Sequence, residues 1–566
     1  MASHRLATAA GLALLLSGLA ACAPGLPATV VPGTHVTVGW SEELTSLNAS
    51  AAPTPGNIDV AAATRGGFGR TIDGAFVPDE SFGKVSIVSD DPFTVRYDLA
   101  EPVWSDGIPL DAADLALAWA AVAGRLGDDE STPPADAETD SQALTTLDEF
   151  GRAIEITFPE PAIDWQSAVT APVPAHVVGR LAFGIDDAME AKQAVIRAVQ
   201  EEDASALAEI ADVWATGFEV TEKSEIGGDL LLSSGPFRVE QVEREAEGQT
   251  VTLVPNPSYR GAATPQVARV DLVPSGGDPV AAVGDLLDVA QVAPTAENRA
   301  TIRDLERREF GVQTTHDGHV WTVLLDPAGV FADPAARTAF LRTVPARAML
   351  ENGGGEWSSA YTATTSVTTA PDSAAHQIVS EDSGFAAVLG SPSSEPEVER
   401  EAAGVAAGSR VCVLYDRGSA FAAGAFAALR DAVAEAGWNA VDCGSDDVDA
   451  AIGQRGWDAA IARVPIAQTP AELAEQWGSG SEGSLTTHAD ADRDALIAQL
   501  ARTVDVFDAR ELLAQIEATI VRAAVARPLA VDPRLTLVDP GVAGVSAPDG
   551  AVAPLLGGAA QWSVVP

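Results

Sequence analysis

Three cysteines and one close pair of histidines are the side chains whose types and spacing could carry out chemistry in this 566-residue chain. The histidines stand in His316-Asp317-Gly318-His319, where two imidazoles could meet a metal ion, but no third ligand follows at the spacing of a metal site. We therefore expect a solvated Asp-Gly turn there, and we predict no metal and no other cofactor. The sequence contains no Gly-x-Ser-x-Gly nucleophile motif and suggests no Cys/His pair.

Cys22 ends an N-terminal segment with the layout of a secretory signal peptide. Arg5 precedes an apolar run from Leu6 to Gly18, and small residues follow in Leu19-Ala20-Ala21-Cys22. The run is too short for a membrane span. The last four residues resemble a bacterial lipobox, which implies that Cys22 becomes the first mature residue and carries a diacylglyceryl group on its sulfur. The alternative is an incidental cysteine after an ordinary signal peptide.

Lipidation of Cys22 would place the mature protein outside the cytoplasm, anchored to the cell membrane by lipid. Two acyl chains are enough for stable anchoring where one would be marginal. An extracytoplasmic location is also oxidising, so Cys412 and Cys443 are an even pair that could form a disulfide between neighbouring strands. Two buried free thiols are the alternative, and the sequence leaves both open.

The charge of the chain excludes several classes of partner. The formal net charge is -47, and no basic cluster is present to neutralise a nucleic acid backbone or to bind an anionic membrane surface. We interpret the acidic excess as a solvated, mixed surface that favours solubility, rather than as an acidic field that steers a substrate. A hydrophobic fraction of 46% allows large buried cores, and we expect a monomer.

Several elements can be predicted from periodicity. Residues 35–40 alternate like a half-buried strand, and Asp111 is a candidate N-cap of a helix with Asp114 three residues on. An apolar run at Val411, a helical stretch, the stop at Gly437 and a second apolar run form a β-α-β unit with parallel strands. Residues 353–408 are rich in Ser, Thr, Ala, Glu and Pro, and we expect parts of this stretch to be long surface loops.

A series of motifs resembles one protein family. The segment from Trp104 to Asp114, W-S-D-G-I-P-L-D-A-A-D, resembles the W-S-D-G-x-P-[LF]-x-A-x-D signature of the extracellular solute-binding proteins of family 5. This family contains the oligopeptide- and dipeptide-binding proteins of ABC importers. Further matches follow in the family's order: Ser234-Gly235-Pro236-Phe237, Asn256-Pro257-Ser258-Tyr259, Gly284-Asp285-Leu286-Leu287-Asp288, Asp333-Pro334-Ala335-Ala336-Arg337, Trp457-Asp458-Ala459 and Gly541-Val542-Ala543-Gly544-Val545.

The resemblance implies an α/β, two-lobed fold like that of the periplasmic binding proteins, with an extra domain and a cleft that closes about a hinge. The domain boundaries that we predict are a signal peptide (1–21), a lipid-anchored tether (22–34), lobe I (35–68, 226–304 and 526–566), the extra domain (69–225) and lobe II (305–525). The implied function is binding without catalysis: a peptide or related small solute is captured and handed to the permease of an ABC importer.

Most of the motif residues are expected to be structural, with Arg337 pairing with a carboxylate to fix its helix. Peptide binders of this family clamp the ligand's ammonium group with an aspartate after the Trp-Asp-Ala strand, and residues 463–470 lack both that aspartate and its aromatic neighbour. The candidate ligand-binding residues are therefore Glu42 and Glu43, which follow the first strand, and Arg463, which could face a ligand carboxylate.

Two other functions remain as alternatives. A lipid-anchored surface sensor or scaffold would keep the fold without importing a solute. An extracellular hydrolase is disfavoured by the absence of a nucleophile motif, and its acidic residues are too numerous in this chain to indicate a catalytic pair.

Overall fold

A computed structural model describes residues 26–72, 75–126, 143–147, 151–221, 226–246, 248–390, 393–550 and 554–565. Cys22 and the predicted signal peptide lie outside these residues. The strands are Val31–Trp40 (β1), Gly69–Ile72 (β2), Ala75–Pro78 (β3), Gly83–Asp90 (β4), Phe93–Leu99 (β5), Ala143–Leu147 (β6), Ala153–Thr157 (β7), Phe237–Glu245 (β8), Gly248–Pro255 (β9), Val267–Pro274 (β10), Val289–Val292 (β11), Gly311–Leu325 (β12), Ser409–Tyr415 (β13), Trp438–Asp442 (β14), Ala459–Pro465 (β15), Ala526–Val538 (β16), Val542–Ala543 (β17) and Ser563–Val564 (β18).

Helices separate most of these strands. The α-helices are Pro55–Thr64 (α1), Ala112–Val122 (α2), Ala175–Phe183 (α3), Ala188–Gln200 (α4), Ala204–Thr216 (α5), Pro279–Ala282 (α6), Arg299–Arg307 (α7), Pro334–Leu341 (α8), Ala346–Gly354 (α9), His376–Asp382 (α10), Phe385–Val388 (α11), Pro396–Ala402 (α12), Ala420–Glu435 (α13), Val448–Gln454 (α14), Pro470–Trp477 (α15), Ala491–Ala501 (α16) and Val506–Ala523 (α17). Short 3-10 helices cover Gly329–Phe331, Gly355–Ala360 and Leu555–Gln561. Within the described residues, no helix is both long and apolar enough to cross a membrane.

The largest sheet in the described residues has ten strands, in the order β14-β13-β15-β12-β16-β11-β1-β10-β9-β8. β1 pairs in parallel with β10 and β11, and β13 pairs in parallel with β14 and β15. Helix α13 connects β13 to β14, so the predicted β-α-β unit is confirmed. We refer to β1 with β8–β11 as the β1 half of the sheet, and to β13–β15 as the β13 half.

β12 and β16 are the central strands, and they connect the two halves. Residues 311–316 of β12 pair with residues 533–538 of β16, while Val320 pairs with Val531. Asp317, Gly318 and His319 therefore lie opposite Asp532 alone, which is a bulge that bends the strand. Gly318 has φ 86°, a conformation that glycine adopts without steric cost. We call this bulge the strand junction; β11 pairs with β16 on one side of it and β15 pairs with β12 on the other.

Apolar side chains cover both faces of the β13 half. Along β13, Val411 and Val413 belong to one buried cluster and Cys412 and Leu414 to another. This alternation follows from the two-residue period of a strand. The first cluster includes residues of α13, so that helix covers the face on which Val413 lies.

A separate four-stranded sheet, in the order β4-β5-β7-β6, packs with α2 and the helices after it. The motif between β5 and α2 is structural, as expected. Asp111 caps α2 in a capping box with Asp114, so the predicted N-cap is confirmed. Trp104 Nε1 donates to Asp114 Oδ1 at 3.1 Å, and Asp106 Oδ2 lies 3.0 Å from His176 Nε2.

The structure joins Cys412 and Cys443 by a disulfide between β13 and the residue after β14, with their Cα atoms 5.5 Å apart. The bond closes a loop across 31 positions of the chain. In the chain-entropy view, such a crosslink stabilises the folded state by about 3.5 kcal/mol, because it restricts the unfolded chain.

The structure corrects the expectation for Arg337 and defines the one for residues 353–408. Arg337 has backbone partners instead of the expected carboxylate: it donates to the carbonyl oxygens of Phe331 and Ala523, each at 2.8 Å. Only parts of residues 353–408 lie outside regular elements, because the stretch contains α10, α11 and α12, and Thr364, Ser366 and Thr368 within it are buried.

Candidate functional site

A polar cluster lies at the strand junction, on the face of the sheet that α13 covers. Arg463 on β15 stands directly opposite Trp321 on β12, so their side chains share that face. Arg463 Nε lies 2.6 Å from Asp532 Oδ2, and Arg463 Nη2 bonds Asp317 Oδ2. We call Asp317, Arg463 and Asp532 the Arg463 triad. It combines one residue from each connecting strand with one from the β13 half.

The Arg463 triad is open to solvent although the strands around it are buried. The side chain of Arg463 is 42% exposed, and those of Asp317 and Asp532 are each 17% exposed. His319 Nδ1 lies 3.2 Å from Asp317 Oδ1, and burial lowers the pKa of this imidazole, which keeps it neutral at neutral pH. The junction therefore exposes charged side chains to solvent in a part of the sheet that is otherwise buried.

Stacked aromatic rings border the triad on the side of the β13 half. The ring of Phe421, in the first turn of α13, stacks on Trp321 at 4.4 Å between centroids and on Tyr361 at 4.7 Å. Trp321 Nε1 donates to Asp532 Oδ1 at 2.9 Å, which joins the aromatic rings to the triad. Burial, together with the charge of Asp532, raises the pKa of Tyr361, so its hydroxyl stays protonated.

Hydrogen bonds fix the segment that follows Tyr361, residues 362–368. The next residue, Thr362, accepts a hydrogen bond from Val531 N on β16 at 2.9 Å. Further along, Ser366 Oγ and Thr368 Oγ1 donate to the buried carboxylate of Glu517 on α17, at 2.8 and 2.7 Å. Burial raises the pKa of Glu517, although these hydrogen bonds oppose the shift.

The β1 half contributes a second group of charges beyond the triad. Arg534 lies two residues after Asp532 on β16 and therefore on the same face. It interacts electrostatically with Asp59 on α1, whose Oδ2 accepts a hydrogen bond from Trp40 Nε1 at 3.2 Å. Burial raises the pKa of Asp59 to about 6, and the negative charge of Glu42 contributes in the same direction. This side of the junction is acidic and aromatic.

The family can be assigned from a match across the middle of the chain. A family model described as bacterial extracellular solute-binding proteins, family 5 Middle, matches residues 84–383, more than half of the 566 residues. The chain belongs to this family.

Relatives of this family 5 protein include mycobacterial lipoproteins. It is 26% identical over 491 residues to the uncharacterized lipoprotein Rv2585c of Mycobacterium tuberculosis, with 81% of each chain covered. It is 26% identical over 313 residues to the uncharacterized lipoprotein ML0489 of Mycobacterium leprae, with 53% of each chain covered.

Solved structures share the fold over nearly the whole chain. The periplasmic EDTA-binding protein EppA has a TM-score of 0.72 at 18% identity, covering 96% of this chain and 98% of its own. The ABC transporter substrate-binding protein CtaP of Listeria monocytogenes has a TM-score of 0.71 at 15% identity, covering 94% and 100%. The periplasmic murein tripeptide-binding protein MppA, in its unliganded open form, has a TM-score of 0.65 at 16% identity, covering 94% and 98%. The predicted periplasmic-binding-protein-like α/β fold is confirmed.

The structure places the three sequence-predicted ligand residues of this family 5 protein differently. Arg463 lies in the junction, but two aspartates already engage it. Glu42 is exposed and close enough to Asp59 to affect its pKa, and Glu43 is exposed on the same segment. Ligand contact by Glu42, Glu43 and Arg463 stays a prediction, as do the domain boundaries.

Sequence reasoning missed most of the junction. The segment from His316 to His319 is a bulge within β12 and not the solvated turn that we expected; His316 is 7% exposed. In the described residues, no group of three or more His, Cys, Asp or Glu side chains is arranged to hold a metal ion. A signal for the site was present in β16, where Asp532 and Arg534 alternate with apolar residues in an otherwise buried strand.

Proposed function

We propose that this family 5 protein is the substrate-binding lipoprotein of an ABC importer, which captures a peptide or related small solute and delivers it to a membrane permease. The observation that carries the proposal is the solvent-exposed Arg463 triad beside stacked aromatic rings, where the two halves of the sheet meet. Ligand sites commonly combine apolar walls with a few oriented polar groups at such interfaces. A ligand that contacts both halves favours their closed arrangement.

The site itself supports an amide-rich solute. The names of the structural neighbours refer to ligands as different as EDTA and a murein tripeptide, so a shared fold does not select a ligand. In this chain, the ring of Tyr361 is partly exposed and stacks on Phe421, and the triad offers hydrogen-bond donors and acceptors side by side. A peptide backbone has both complementary groups at each residue.

Thermal unfolding with a peptide library, combined with mass spectrometry of co-purifying solutes, tests the proposal. A peptide at about 100 times its Kd is expected to raise the free energy of unfolding by about 2.7 kcal/mol, because it binds only the folded state. The variant Arg463→Gln should lose most of this shift. The control Arg430→Gln, on the exposed surface of α13 with its side chain 53% exposed, should keep it.

One result would contradict peptide or solute capture, and another would contradict the junction as the binding site. One is that no peptide or other small solute raises the melting temperature while nothing co-purifies. The other is that Arg463→Gln and Arg430→Gln respond to a bound peptide in the same way, which would place the ligand away from the junction.

Anchoring through Cys22 is part of the proposal, and the lipoprotein names of the mycobacterial relatives support it. Replacing Cys22 with serine removes the sulfur to which the lipid would attach. We expect the variant to leave the membrane fraction, with an unchanged melting temperature, in cell fractionation followed by immunoblotting. The neighbouring change Ala23→Ser keeps the sulfur and should remain membrane-bound. Membrane retention of Cys22→Ser would refute the lipid anchor.

A further inference from the structure

The Arg463 triad has more negative than positive charge. One guanidinium meets two carboxylates, through Nε to Asp532 and through Nη2 to Asp317. The remaining nitrogen, Nη1, has no partner among the described residues, and the side chain of Arg463 is 42% exposed. The two aspartates therefore fix the orientation of the guanidinium and leave one pair of N–H groups directed away from them.

The surroundings of the triad add further negative charge. Burial keeps His319 neutral at neutral pH by lowering its pKa. Arg534 interacts electrostatically with both Asp59 and Asp549. With Glu42 beside Asp59, carboxylates outnumber guanidinium groups over the whole junction.

We infer that the Arg463 triad makes the cleft select solutes that present an uncharged hydrogen-bond acceptor, such as an amide carbonyl, and reject those that present a free carboxylate. The inference rests on the proposed function. A carboxylate brought to Nη1 would be attracted by one guanidinium and repelled by two carboxylates a few ångströms away, in a partly desolvated site where Coulomb energies are large. An amide carbonyl accepts the same N–H groups without that repulsion. Asp317 and Asp532 are thus specificity-determining residues that act through Arg463.

Matched peptides can measure this selection. The probes are di- to pentapeptides, each prepared with a free carboxyl terminus and as the terminal amide, with binding followed by calorimetry. The natural protein is expected to bind the amides about tenfold or more tightly than the acids, a difference typical of one unfavourable charge contact. Asp532→Asn and Asp317→Asn each remove one negative charge, and each should shrink this ratio several-fold.

The control is Asp431→Asn, which removes the same charge from a side chain of α13 that is 76% exposed; it should leave the ratio unchanged. Equal binding of acids and amides by the natural protein would overturn the inference while leaving peptide capture intact. A ratio that neither junction variant alters would overturn the role of the two aspartates. Failure of both peptide series to bind would refute peptide capture, and the inference with it.

Discussion

Replacing Asp114 with alanine is expected to lower the free energy of unfolding by about 3–5 kcal/mol, the cost of breaking a buried ion pair from one side. Asp114 is fully buried, and its Oδ2 lies 2.9 Å from Nζ of Lys192, whose side chain is 2% exposed. Burial acts to lower the pKa of Lys192, but the charges of Asp114 and Asp111 overcome it and raise the pKa. Without Asp114, the buried ammonium group of Lys192 would keep only one of its two carboxylate partners, Asp111.

The same carboxylate also satisfies neutral donors. Trp104 Nε1 and the backbone N–H of Ala175 both donate to Asp114 Oδ1, at 3.1 and 2.8 Å, and each would be left unpaired in a buried site. Urea denaturation followed by tryptophan fluorescence measures the loss. Asp98→Ala is the control, since this aspartate is 49% exposed and pairs with Arg96 at the surface; it should cost less than about 1 kcal/mol. Equal losses for the two variants would show that the buried network does not stabilise the fold.

The features that sequence could predict are those determined by neighbouring residues. The capping box of α2 needs only Asp111 and Asp114, three residues apart, and the sequence indicated it directly. The β-α-β unit from β13 to β14 also follows from local periodicity, with Gly437 at φ 79° ending the helical stretch. Both features are determined by residues that are close together in the sequence. They can therefore be predicted without knowing which distant strands pair.

The candidate site could not be predicted, because its parts come from distant strands. Arg463 is 146 positions from Asp317 and 69 positions from Asp532. Their meeting depends on the register of β12 against both β15 and β16, and a shift of one residue would turn these side chains to the opposite face. Considered alone, Asp317-Gly318 is typical of a turn; only the paired strands show that the extra residues form a bulge.

Under the proposed function, the bulge would connect ligand binding with motion between the halves. The triad takes one residue from each connecting strand and one from the β13 half, so a ligand bound at Arg463 as proposed would contact the strands that join the halves. Away from these strands, Trp357 Nε1 in the 3-10 helix Gly355–Ala360 donates to the carbonyl oxygen of Thr295, in the segment after β11, at 2.7 Å. Under the proposed function, a ligand at the triad would favour closure by contacting both connecting strands and the β13 half.

Replacing Glu517 with alanine is expected to cost about 3–4 kcal/mol and to weaken ligand binding as well. Glu517 is 1% exposed and accepts hydrogen bonds from Ser366 Oγ, Thr368 Oγ1 and the backbone N–H groups of Val367 and Thr368. Alanine would leave these buried donors unpaired. Because they belong to the segment that follows Tyr361, loss of the carboxylate would also loosen the aromatic border of the site.

The variant Glu517→Gln distinguishes the effect of the ionisable carboxyl group from that of the hydrogen bonds, because glutamine accepts hydrogen bonds but does not titrate. The pKa of Glu517 is raised above its usual 4.5 by burial, so the folded protein holds this proton more tightly than the unfolded chain. Its contribution to stability is therefore greatest below pH 4.5 and declines as the pH rises through the folded-state pKa. Urea denaturation at several pH values should show the stability of the natural protein falling relative to Glu517→Gln over this window. Glu511→Ala, on the exposed face of α17, should show neither the loss nor the pH trend, and a constant difference between the natural protein and Glu517→Gln would refute the assigned direction of the shift.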